Sequence, residues 1–180
     1  IASIVKLQAR SSEDDVVRRT LYSVLNRVEA LSTVQRKLFT SSDLGRFDVA
    51  DFAKDLIQDL VGALNRDDIR VTTDLSPVLV PSVKASALAL IVNELVVDAV
   101  RRGLSDGGGE IHLQVRRTNG HFVIRVTDTT TPVSVNPEEE VFGRLMLDTC
   151  AKQLNAKVER SRDGNRTDVL VTMPVEMSKD

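Results

Sequence analysis

Few residues in this chain have the chemistry of an active site, and most of those have an ordinary structural use as well. Asp106-Gly107-Gly108-Gly109 has the glycine density of a phosphate cradle, where backbone N–H groups meet oxyanions. It lacks the Lys-Ser/Thr that completes a P-loop and falls between a helix end and a strand, so it reads as a flexible connection. Arg101-Arg102 offers two guanidiniums to a phosphate, or equally two solvated cations at the helix terminus that favours positive charge. Glu138-Glu139-Glu140 is the opposite case, three carboxylates suited to the first turn of a helix. His112 and His121 are the only histidines, and both fall in a strand pair. Cys150 is the only cysteine. It excludes an internal disulfide, suits a reducing cytosol, and reads as a small buried helix residue.

Composition narrows the function classes. Hydrophobic residues make up 42% of the 180, enough for a real core. Aromatics are only 3% and Trp is absent, so Leu, Val, Ile and Ala must build that core. A net charge of −2 gives no electrostatic case for nucleic acid, which asks for a concentrated basic face. No apolar run approaches the roughly 20 residues of a membrane span. The opening IASIVKLQAR is short and amphipathic rather than a signal peptide. A cytoplasmic protein is therefore expected, and the start at Ile1 without Met reads as a piece of a longer chain.

The elements that must position these groups follow from periodicity. Val17, Leu21, Val24, Val28, Leu31 and Leu38 alternate at spacings of four and three, a heptad seam with one step skipped near Gln35. Ile1, Ile4, Val5 and Leu7 end an earlier helix, and Ser11-Ser12-Glu13-Asp14-Asp15 supplies the break and the N-cap. The start is a helical hairpin. One apolar seam is buried either by pairing two chains into a four-helix bundle or by docking a helix within the chain. Residues 40–48 read as a polar linker and cap. A helix follows with Val49, Phe52, Leu56, Ile57, Leu60 and Leu64 on one side, then strands at Ile69–Thr73 and Val78–Val80. Ser82 to about Gly103 is a long apolar helix. Ile111–Arg117 and His121–Thr127 form a hairpin over Asn119-Gly120. A helix from about Glu140 to Leu154 and strands near Val158 and at Val169–Met173 close the chain. The fold class is α+β: a hairpin, then a two-layer sandwich of a mixed sheet covered by helices on one face.

In order and spacing the chain resembles the catalytic core of the bacterial two-component sensor histidine kinases, nearest to the subgroup with a His-Arg-Val-Lys-Asn-Asn-like first helix. Ile4-Val5-Lys6-Leu7-Gln8-Ala9-Arg10 is similar to the helix just downstream of that motif. Asn26–Leu31 and Lys37-Leu38-Phe39 resemble the second hairpin helix. Asn93-Glu94-Leu95-Val96-Val97-Asp98-Ala99 resembles the Asn-Glu-Leu-Val-Thr-Asn-Ala box, and Gln153-Leu154-Asn155-Ala156 the closing unit. The resemblance implies residues 1–45 as a dimerisation and phosphotransfer-like hairpin and 46–180 as an ATPase-fold domain. It implies a homodimer through the hairpin and a response-regulator receiver domain as partner.

A nucleotide site on this fold needs a buried carboxylate for adenine, a hard oxygen ligand for Mg²⁺, and glycines where phosphate meets backbone. The resemblance places Asp128 at the adenine position, Asp98 at the magnesium position in place of Asn, Glu94 one turn before it, and Gly143 as the survivor of the second glycine box. Thr130 and Pro132 stand where the first box has glycines, and proline removes a donor as well as adding bulk. The lid between Pro132 and Gly143 is short and acidic. These departures imply a degenerate nucleotide site, with no ATP or Mg²⁺ expected as cofactors and no metal site unless Asp98 ligates. Neither His112 nor His121 matches the phospho-accepting histidine, which is expected upstream of Ile1. The leading expectation is a histidine phosphotransferase or response-regulator-docking module without ATP use. An ATP-dependent kinase with a divergent site and a pure protein-binding module are the alternatives.

Overall fold

The computed structural model describes residues 2–40, 45–64, 66–102, 108–130 and 137–175. The hairpin is α1 (Ala2–Ser11) and α2 (Asp15–Thr40). Asp14 caps α2, its Oδ1 accepting from the Val16 and Val17 amides at 2.8 and 3.3 Å. Then come β1 (Arg46–Asp48), α3 (Val49–Gly62), β2 (Ile69–Leu75), β3 (Leu79–Pro81), a 3-10 turn at Ser82–Lys84, and α4 (Ala85–Arg102). The chain finishes with β4 (Gly109–Thr118), β5 (His121–Thr130), α5 (Pro137–Gln153), β6 (Lys157–Asp163) and β7 (Arg166–Pro174). The α+β order is the one the periodicities imply. Gly103, Asp106, Gly107, Pro132 and the lid residues 133–136 lie outside the described residues, as do the side chains of Thr130, Glu138 and Glu139.

The main sheet has strand order β2-β4-β5-β7-β6, with β2 parallel to β4 and the other neighbours antiparallel. Side chains alternate across a strand, so every second residue of β5 meets the helices: Phe122, Ile124, Val126 and Asp128 are all buried. Ile111, Leu113 and Val115 of β4 and Val169, Val171 and Met173 of β7 continue that face. Above it lie Leu88, Ile91, Val92, Leu95, Val96 and Ala99 of α4, with Phe52 and Ile57 of α3 behind them. The low aromatic content is thus met by an aliphatic two-layer core, where trimming one buried Ile or Leu to Ala costs about 2–5 kcal/mol.

Three local features depart from the sequence expectations. The linker over 40–48 contains β1, which pairs with β3 in a separate two-stranded sheet. A strand of three residues is too short to show a period of two. Asp48 is the cap that was expected, accepting from Ala50 at 2.9 Å, and it also accepts from the Val78 amide at 3.3 Å. Gly108 is held rather than merely flexible. Its φ is +64°, a Cβ there would lie 2.9 Å from Asp68 Cβ, and the neighbouring Gly109 amide bonds the Asp68 carbonyl at 3.1 Å. Finally, α5 starts at Pro137, three residues before the expected Glu140, with proline in the position whose N–H a helix does not need.

The largest difference concerns α2. Its Ala30 and Val34 are buried in the core cluster of the sandwich, while seam residues Val17 and Val24 are 46% and 42% exposed. The helix therefore has two working faces. One docks within the chain, and the seam seen in the sequence is largely the other. Ala30 and Val34 carry little apolar signal beside the Leu-rich seam, although the last seam residue, Leu38, packs partly against the same core.

Candidate functional site

α4 sets out its carboxylates by helical period. Glu94, Asp98 and Arg102 are four apart and so share one face, and each lines a cavity of about 330 Å³ between α4, α5 and the β6–β7 hairpin. Gly143, Arg144 and Leu147 close it from α5, and Arg160, Arg162 and Thr167 from the hairpin. Asp128 reaches the end of this region from β5, where the alternation of the strand turns it under α4 with no exposed surface. The four residues singled out from sequence, Glu94, Asp98, Asp128 and Gly143, are thus brought to one end of the sandwich. His112 and His121 are not. His112 Nδ1 lies 2.9 Å from Thr72 Oγ1 on the open face of the sheet, and His121 sits at the hairpin turn.

The chemistry at the Asp128 end is set by Arg102. Its Nε lies 3.1 and 3.0 Å from Asp128 Oδ1 and Oδ2, and a terminal nitrogen 2.6 Å from Oδ2. The same guanidinium forms an ion pair with Asp98. Arg102 is only 15% exposed, so it is not the solvated helix-end cation that the Arg101-Arg102 pair suggested. Burial opposes its charge most strongly, yet hydrogen bonding to Asp128 and the charges of Asp98 and Asp128 together hold its pKa above the ordinary arginine value. Planar, bidentate pairing of this kind is what guanidinium does better than ammonium.

Glu94 is engaged from a different direction. Arg27 of α2 donates from Nε to Oε1 at 2.9 Å and from a terminal nitrogen to Oε2 at 2.7 Å. The Arg27 and Glu94 side chains are 12% and 9% exposed. Asn93 adds a bond from Nδ2 to Glu94 Oε1 at 3.1 Å, while its own Oδ1 is buried and has no hydrogen-bond partner among the described residues. The Phe142 ring covers the guanidinium at 4.8 Å from its centroid. Gly143 follows immediately, inside a helix and with no positive φ. Its need for glycine is one of space, since a Cβ there would lie 3.3 Å from Glu94 Oε2. Behind the pair, burial and then the Glu94 charge push the Cys150 thiol pKa up, so the cysteine stays a protonated, packed residue, as its helix position suggested.

Sequence reasoning missed Arg27 and Phe142. Arg27 meets its carboxylate 67 residues away, and nothing in a heptad pattern marks one polar position as a long-range partner. The Asp98–Arg102 pair was visible in principle, as oppositely charged residues one helical turn apart. Among the described residues no group of three or more His, Cys, Asp and Glu side chains is placed to hold a metal ion.

Residues 1–64 match the family model HisKA_2, described as "Histidine kinase". The fold is shared over nearly the whole chain with solved histidine kinases. The histidine kinase domain of the Erythrobacter litoralis EL346 blue-light activated histidine kinase superposes with a TM-score of 0.72 at 20% identity, over 96% of this chain and 83% of that one. The EL346 kinase itself gives 0.71 at 20% identity, over 99% of this chain and 60% of that one. Acinetobacter baumannii AdeS gives 0.57 at 14% identity, over 97% and 95%. No curated protein matches the chain in sequence. The chain therefore has the fold of a sensor histidine kinase core, a helical hairpin leading into the ATPase fold.

Proposed function

We propose that this protein serves two-component signalling without using ATP, as a histidine phosphotransferase or as a docking module for a response-regulator receiver domain. The observation that carries the reading is the bidentate hold of Arg102 on Asp128. The carboxylate in the adenine position must accept from the adenine amino group, and here both its oxygens already accept from a buried cation. Asp98, the residue in the magnesium position, shares the same guanidinium. In this reading the donor set, already spent on Arg102, does not suit an ATP·Mg²⁺ complex. Phosphotransfer in this reading runs through a histidine N-terminal to Ile1. Exposed Ile4, Leu7, Val17 and Val24 on the hairpin support a homodimer through residues 1–45, with 46–180 as the ATPase-fold domain. No described helix is long and apolar enough to cross a membrane. Titration calorimetry with ATP·Mg²⁺ tests the proposal: no heat of binding is expected at micromolar concentrations, and micromolar affinity overturns it.

A second reading, an ATP-dependent kinase with a divergent site, is favoured by the cavity itself. About 330 Å³ is at the lower end of small-ligand sites, and its five arginines, Arg101, Arg102, Arg144, Arg160 and Arg162, outnumber the carboxylates Glu94, Asp98 and Glu140. Incubating a chain that includes the upstream histidine with labelled ATP separates the two readings, because only the second predicts label on the protein.

A further inference from the structure

Alternation along a strand asks for apolar residues on the helix-facing side of the sheet, and the edge strand β6 departs from that rule. Directly opposite residues share a face, and successive helix-facing rows are Ile124–Val171–Val158, Val126–Val169–Arg160 and Asp128–Thr167–Arg162. The rows pass from wholly apolar to wholly polar. The polar end opens into the cavity of about 330 Å³, which Arg160, Arg162 and Thr167 line. An arginine turned to the core side of a sheet is costly unless a counter-charge meets it.

The carboxylates of the cavity wall are already engaged by other arginines. Glu94 is held by Arg27, which is not part of the wall, Asp98 by Arg102, and Glu140 by Arg144 one turn along α5. Asp128, in the same row as Arg162, is spent on Arg102. Arg160 bonds Asp148 of α5, outside the wall, at 2.9 Å, and Arg162 donates to the neutral Gly164 carbonyl at 3.4 Å. Guanidiniums therefore outnumber carboxylates in the wall, and two sides supply them. Arg101 and Arg144 come from the helices, Arg160 and Arg162 from β6. A concave surface with net positive charge concentrates anions, and planar guanidinium forks pair bidentately with phosphoryl oxygens.

We propose that this cavity is an anion site for a compact oligophosphate taken without a base and without Mg²⁺, held by Arg160 and Arg162 of β6 from one side and by Arg101 and Arg144 from the other. The inference rests on the ATP-free reading. With Asp128 saturated by Arg102 the adenine end has no acceptor to offer, and with Asp98 on the same guanidinium the arginines, not a metal, neutralise the ligand. The polar end of β6 is thereby given a use that an edge strand alone does not require.

Calorimetric titration of the full chain with inorganic triphosphate, in EDTA at constant ionic strength, tests the site. One site of micromolar affinity is expected. R160Q/R162Q is expected to weaken it by about tenfold or more, the loss of one or two charge-assisted hydrogen bonds. R160K/R162K, which keeps the charges without the forks, should fall between the two and guards against a variant that loses binding by misfolding. R70Q/R116Q on the open face of the sheet should leave the affinity unchanged. Silence from triphosphate overturns the site and leaves the ATP-free reading standing. Equal weakening in R70Q/R116Q overturns it too, as general attraction to a cationic surface. Tighter binding of ATP·Mg²⁺ than of triphosphate overturns both the site and the reading beneath it.

Discussion

The two ends of the α4 charged face make the same bond for different purposes. At its C-terminal end Arg102 grips Asp128 within the sandwich, from an element already packed on β5 by Leu95, Val96 and Ala99. Two turns earlier Glu94 is gripped by Arg27, which arrives on a helix that buries Ala30 and Val34 in the same core and packs Leu38 partly against it. The first pair is held by the packing around it and completes the interior. The second does much of the holding itself. Identical chemistry is thus a filler in one place and a fastener in the other, and the apolar area beside it decides which.

The comparison can be broken most directly at Asp128. R102A removes the cation paired with a carboxylate that has no exposed surface, so a loss of about 3–5 kcal/mol is expected by urea denaturation, with the whole sandwich unfolding earlier in one transition. R27A leaves Glu94 at the edge of the core, and a smaller loss of about 2–3 kcal/mol is expected. Its hydrogen-exchange signature differs too, with α2 losing protection before β4 does. Equal losses with the same exchange pattern would erase the distinction between filler and fastener.

Gly143 sharpens the contrast. Alanine in a helix interior gains about 1 kcal/mol over glycine, but its Cβ would press on Glu94 Oε2 at 3.3 Å. G143A is expected to be neutral or mildly destabilising in the native background. In E94A, where the carboxylate is gone, the same change should raise stability by about 1 kcal/mol. Thermal melts of the four proteins in that cycle check the sign reversal.

The open face of the sheet supplies the smallest effect. Arg125 donates to Asp168 there, and that hydrogen bond, opposed by partial burial, holds the Asp168 carboxyl below its ordinary pKa. A folded value below the unfolded one adds stability above the unfolded pKa that is lost as pH falls towards the folded pKa. The Arg125 side chain is 42% exposed, so about 0.5 kcal/mol is expected. D168N should flatten the acid limb of the stability–pH curve slightly and leave its neutral value almost unchanged.

Much of this architecture was readable because it repeats. The heptad of α2, the amphipathic period of α3 and the Asn119-Gly120 turn each recur or signal within a few residues, and each element formed as expected. The Asn93–Ala99 box and Asp128 were readable as types at a spacing, and the fold brings both to one end of the sandwich. The short β1 strand was not readable, because its only reason to exist is β3 lying beside it. The early start of α5 at Pro137 was hidden by an acidic run that could have been loop or helix.

What the sequence by itself determined is therefore the set of elements, their order, and which faces are apolar, since these depend on neighbours within one or two turns. Only the tertiary structure decided that Arg102 spends itself on Asp128, that α2 docks by its less apolar face, and that Arg27 lies under Phe142 against Glu94. Those pairings join residues 26 and 67 positions apart. At such separations the partner of a charge is set by where packed helices and strands place it, which no local period encodes.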